Sequence, residues 1–81
     1  MAAIPFELLS LVIESLVPIK SSNINSIFYL PGMLFIRFHG GEIYQYDGVL
    51  PSICAGLLAA QSKGGYFVRY IERVYPGEKI E

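Results

Sequence analysis

The residues of this chain that could do chemistry are few, and they fall into two groups. The first is Lys63-Gly64-Gly65, followed by Arg69 and Arg73. Two glycines ahead of a helical pattern free the backbone to turn N–H groups toward an anion, and the helix dipole favours negative charge there. Phosphate binding is the chemistry this implies. The group is not a P-loop, because the GxxxxGK spacing is absent. Its plainer reading is a glycine cap between two helices, with a solvated basic face partly balanced by Glu72. The second group is Tyr44 and Tyr46. Aromatic faces stack on any base for about 1–3 kcal/mol each. Tyrosines also fill cores when their hydroxyls find partners, and the strand register considered below favours that role.

Other reactive residues do not assemble into a set. Cys54 excludes an internal disulfide and falls mid-helix, where it reads as a small buried hydrophobe. His39 beside a glycine pair reads as exposed, and one histidine with one cysteine leaves few soft metal ligands. Arg37 and His39 lie on the face opposite Leu34–Phe38, where they could meet an anionic ligand or the N-terminal helix. Glu42 and Asp47 sit at opposite ends of one strand, so no paired carboxylates arise. With no nucleophile, base or metal set, the chain is not expected to be an enzyme, and no cofactor is expected.

Length and composition narrow the partners. In 81 residues, 53% of them hydrophobic, the apolar surface exceeds what one small core hides, so self-association or a protein partner is expected. A net charge of −1 argues against a broad, non-specific grip on nucleic-acid backbone. The amino-terminal stretch carries Glu7 and Glu14, has no basic leader and is too interrupted to span a bilayer. A cytoplasmic setting without membrane attachment follows as the default.

The elements that must position these residues centre on MLFIRFHGGEIYQYDGV, residues 33–49. Apolar alternation on both sides of Gly40-Gly41 is how a β-hairpin with one buried face is written. A two-residue Gly40-Gly41 loop would set Arg37 opposite Tyr44. A three-residue Gly40-Gly41-Glu42 loop would pair Phe38 with Tyr44 and Ile36 with Tyr46. The second is favoured, since it puts both tyrosines on the Leu34–Ile36–Phe38 face and leaves Gln45 and Asp47 outward. Before the hairpin, residues 5–17 carry Glu7, Ser10 and Glu14 on one helical stripe, with apolar residues around the rest. That wide apolar arc is the best candidate for a homo-oligomer surface, with plain core packing as the equal alternative. A turn at 21–23, an edge-like strand at 24–30 and a Pro31-Gly32 turn lead into the hairpin. Beyond it, a helix over 51–61 presents Ile53, Cys54, Leu57 and Leu58 to the sheet. Gly56 interrupts it at about 1 kcal/mol relative to Ala, which implies close approach to another backbone. A last helix over 66–75 turns Phe67, Tyr70, Ile71 and Val74 inward, and residues 76–81 read as a frayed tail.

On these residues the chain resembles the KTSC domain: SSNI at 21–24, LxIxF at 34–38, YxY at 44–46, GV at 48–49 and AxSxGxYF at 60–67, followed by Ile71 and Tyr75. That domain occurs at the carboxyl end of some lysyl-tRNA synthetases and as small stand-alone bacterial and phage proteins. The resemblance covers residues 19–75, leaving 1–18 as a helical extension and 76–81 as a tail. Val68 stands where such sequences often carry Asn, so no role resting on that amide is carried over. The synthetase context implies nucleic-acid binding. The expectation is therefore an α+β domain: an N-terminal helix, a three-stranded antiparallel β-meander, and two C-terminal helices packed on one face. Its expected function is a non-catalytic binding module for a nucleotide or single-stranded RNA, through Lys63, Gly64, Gly65, Arg69 and Arg73 with the edges of Tyr44 and Tyr46. The alternative is a homo-oligomeric interaction module joined through residues 5–17, phage-encoded and directed at a host protein or at a nucleotide signal it sequesters.

Overall fold

The computed structural model describes residues 5–81, so the first four residues of the expected N-terminal extension lie outside the described residues. The chain is α+β. Helix α1 (Phe6–Ser15) is followed by strands β1 (Val17–Pro18), β2 (Ile24–Leu30), β3 (Met33–Phe38) and β4 (Ile43–Asp47). Helix α2 (Pro51–Ala59) and helix α3 (Lys63–Phe67) come next, α3 running on into a π turn at Val68–Glu72, and strand β5 (Gly77–Lys79) closes the chain. The strands form one antiparallel sheet in sequence order, β1-β2-β3-β4-β5. This corrects the expected three strands to five. The two additions are edge strands of two and three residues, too short to carry a period-two pattern. Val17-Pro18 reads in sequence as a helix end, and Pro18 is tolerated in β1 because an edge strand needs no donor on its solvent side. Gly77–Lys79, expected to fray, pairs with Tyr44–Tyr46 instead.

The central hairpin keeps the expected face but not the expected register. Ile36 lies opposite Tyr44 and Leu34 opposite Tyr46. The loop is His39-Gly40-Gly41, closed by Phe38 N–H donating to the Glu42 carbonyl at 2.9 Å and Gly41 N–H donating to the Phe38 carbonyl at 2.9 Å. A three-residue hairpin loop puts its last residue in the left-handed region. Gly41 takes that place at φ 100°, whereas the expected loop would have forced Glu42 into it. Moving a three-residue loop back by one position moves the pairing by two, so side-chain parity is preserved.

One face of the sheet carries the main core. Ile24, Leu34, Ile36 and Tyr46 project onto Cys54 and Leu57 of α2 and Phe67 and Ile71 of α3, with Val49 beside them. The opposite face, where Gln45 was expected to point outward, is buried as well. Phe35, Ile43, Ser26 and Gln45 are all buried, and Phe28 stacks on Phe35 with centroids 6.2 Å apart. Gln45, 9% exposed, satisfies its amide by donating to the Asp47 carboxylate at 2.9 Å. A sheet with helices on one side only would leave these residues in water. Among the described residues the element that remains to cover them is α1, whose Val12 is 1% exposed. The fold is therefore an antiparallel sheet with buried side chains on both faces.

Candidate functional site

Helix α3 divides the candidate residues between two places. Its inward stripe, Phe67 and Ile71, enters the core. Tyr70 and Val74, expected inward, are 44% and 62% exposed. The π turn is the reason: its wider ring spreads more residues over each turn, so positions after Phe67 fall behind the ordinary helical phase. Tyr70 thereby joins Gly65, Tyr66 and Arg69 on one flank, while Val68 and Glu72 face another.

On the first flank, Ser62, Gly65, Tyr66, Arg69 and Tyr70 line a groove of about 320 Å³ with Ala60. Tyr66 is its fixed wall. The Tyr66 hydroxyl donates to the Ile53 carbonyl at 2.9 Å, and the ring lies over Gly56, where a Cβ would collide with it. The close approach at Gly56 is thus to a side chain rather than to a backbone. Desolvation, then neighbouring Tyr70, raises the Tyr66 phenol above its ordinary value. Tyr66 and Tyr70 have centroids 4.7 Å apart at 43°. These two tyrosines were not singled out from the sequence, although their i, i+4 spacing alongside Gly65 and Arg69 was a signal for a shared stripe.

The lysine-glycine group has internal partners. Lys63 Nζ donates to the Ala60 carbonyl at 2.9 Å, Gly65 N–H donates to Ser62 Oγ at 3.2 Å, and Gly64 packs against the Asn23 side chain. Ser62 is the N-cap of a short helix, which accounts for the glycine pair without a ligand. Arg73 is exposed and lies beyond the groove.

Tyr44 and Tyr46 stand elsewhere, in a cleft of about 330 Å³ that also takes in Asn23, Phe38, Glu42, Phe67, Val68 and Glu72. Tyr46, 4% exposed, is a core residue, and Tyr44 is half-buried beside it with centroids 6.2 Å apart at 20°. Burial first, then the Glu72 carboxylate and Tyr44, push the Tyr46 phenol up from 10.0 to about 12. Phe67 packs edge-on against both Tyr46 and Phe38 at 5.4 Å. The expected site residues are therefore not one constellation: Gly65 and Arg69 share the groove, and the β4 tyrosines line a separate cleft. Cys54 is buried, which raises its thiol, and His39 Nε2 lies 2.8 Å from the exposed Ser21 carbonyl. Among the described residues no group of three or more His, Cys, Asp or Glu side chains gathers to hold a metal. Nor is any described helix long and apolar enough to cross a membrane.

The model of the KTSC domain family matches residues 20–75, more than half of the chain. The chain belongs to the KTSC domain family. An uncharacterized protein of Stutzerimonas stutzeri is 36% identical over 53 residues, covering 63% of this chain and 75% of that protein. The crystal structure of a KTSC domain protein from Yersinia pestis is 38% identical, with a TM-score of 0.74 over 82% of this chain and 96% of that one. Both the groove and the aromatic cleft lie within the KTSC match, whereas α1, β1 and β5 lie outside it.

Proposed function

We propose that this KTSC protein is a non-catalytic binding module for a nucleotide or a short single-stranded RNA, which it takes in the groove of Gly65, Tyr66, Arg69 and Tyr70. The observation that carries this reading is the pairing of a half-exposed ring with an exposed guanidinium on one helix flank. Tyr70 offers a stacking face beside the anchored Tyr66, and Arg69, lining the same groove, supplies a cation for a phosphate of the stacked nucleotide. Arg73, one turn on, extends the basic edge, and Lys63 contributes charge at its near end. The small net charge fits a ligand of a few nucleotides gripped at one point.

Affinity for a fluorescent oligoribonucleotide, measured across a salt series, tests this. Binding through phosphates weakens steeply as ionic strength rises, and Tyr70→Ala costs about 1–3 kcal/mol of it. Retention of affinity in the double variant Lys63→Glu, Arg69→Glu would refute the site. A second reading, a self-associating interaction module, is favoured by Leu8, Leu11 and Val17, which stand 37%, 58% and 58% exposed within residues 5–17. Association through them holds or strengthens in salt and is lost in Leu11→Glu, read by light scattering. A host protein or a sequestered nucleotide signal fits the same module.

A further inference from the structure

We infer that the cleft between β3, β4 and α3 binds an alkylammonium cation, with the half-buried rings of Phe38 and Tyr44 flanking the stem and the carboxylates of Glu42 and Glu72 receiving the charged end. The walls are four aromatic rings in mutual contact. Phe38 meets Tyr44 edge-on at 5.8 Å, Phe67 meets Phe38 and Tyr46 edge-on at 5.4 Å, and Tyr44 stacks on Tyr46. Aromatic faces carry negative quadrupole charge and attract cations, most strongly where water is displaced. The polar lining has the same sign. Glu42 and Glu72 are exposed at the cleft and Asn23 is neutral, while the exposed Lys79, opposite Tyr44 across the β4–β5 pair, is the cation nearest in register and is not part of the lining.

That lining discriminates among ligands. An anion would meet two carboxylates and the negative faces of the rings. A neutral apolar group would fill the space and leave both carboxylates to water. A protonated amine on a slim hydrocarbon chain satisfies the rings with its methylenes and the carboxylates with its charge. The cleft, about 330 Å³, has more than enough room for a butylammonium group. The closeness of Glu72 to the Tyr46 phenol, which helps hold that proton on, marks the acidic end of the cleft. A polyamine and a lysine side chain offer the same chemistry. The cleft is separate from the groove of Tyr66 and Tyr70, so this inference stands independently of the proposed nucleotide site.

The experiment is calorimetric titration of the full chain at low salt with n-butylammonium, spermidine and lysine blocked at both ends, with 1-butanol as the neutral match. The expected result is saturable one-to-one binding of butylammonium that weakens at least about fivefold in Glu72→Gln and in Glu42→Gln and is lost in the double variant. Preference for spermidine or for blocked lysine identifies the source of the cation. Both carboxylates are exposed, so these variants retain the fold, checked by circular dichroism. Three results overturn the inference: no saturable binding of any of the three cations, unchanged affinity in the double variant, or equal binding of butanol.

Discussion

Replacement of Gly56 by alanine tests how α2, Tyr66 and the groove are built together. On propensity alone the change should stabilise α2 by about 0.5–1 kcal/mol, since glycine is costly inside a helix. The surroundings reverse the sign. A Cβ on Gly56 would lie 2.7 Å from Tyr66 Cζ and 3.0 Å from Cε2, with the hydroxyl nearer still. No rotation of the phenol alone relieves this, because ring carbons as well as the oxygen are in the way. The ring must leave, which costs about 1–3 kcal/mol of packing. It also breaks the bond to the Ile53 carbonyl, worth roughly 0.5–1.5 kcal/mol. Net destabilisation of about 1–3 kcal/mol follows, a fall in Tm on the order of 5–15 °C for a domain of this size. Thermal unfolding by circular dichroism reads it directly. Tyr66→Phe removes the nearest atom, so the double variant should recover part of the loss, and a double-mutant cycle isolates the coupling. Equal or greater stability of Gly56→Ala would refute the reasoning. The groove would then lose its anchored wall.

Burial of Val12 predicts that Val12→Ala destabilises by about 1–3 kcal/mol although it lies outside the KTSC segment; no change in chemical denaturation would show that α1 does not cover the sheet. The Tyr46 phenol is an acid whose pKa is raised on folding, from 10.0 to about 12. Its contribution to stability is fully present below pH 10 and is lost as pH rises through 12, so unfolding should become easier across that window. Phenolate absorbance follows the titration, and Glu72→Gln should move it downward by removing one of the charges that opposes ionisation.

Much of the fold was legible because the signals were local and repeated. Period-two alternation over residues 33–47 put Leu34, Ile36, Tyr44 and Tyr46 on one face, and a two-residue error in register left that face unchanged. The apolar stripe of α2 pointed Cys54 and Leu57 inward, although Leu58 proved half exposed at the rim. The edge strands were not legible, since two or three residues contain no period. The candidate site was legible only as residue types. Gly65 and Arg69 share a groove with Tyr66 and Tyr70, which were passed over, while the β4 tyrosines lie in a different cleft alongside Glu42 and Glu72.

By itself the amino-acid sequence determined the hairpin and its buried face, the helical character of both flanks, the lack of a disulfide and membership of the KTSC family. All of these depend on neighbours in the chain or on matched spacing. Tertiary structure alone decided that the sheet is covered on both sides, that a π turn swings Tyr70 outward, and that Gly56 makes room for Tyr66. It also decided that Glu42 and Glu72, distant in the chain, line one aromatic cleft. Such facts depend on which surfaces far apart in the chain come to lie within a few ångströms of each other, and no local period encodes that.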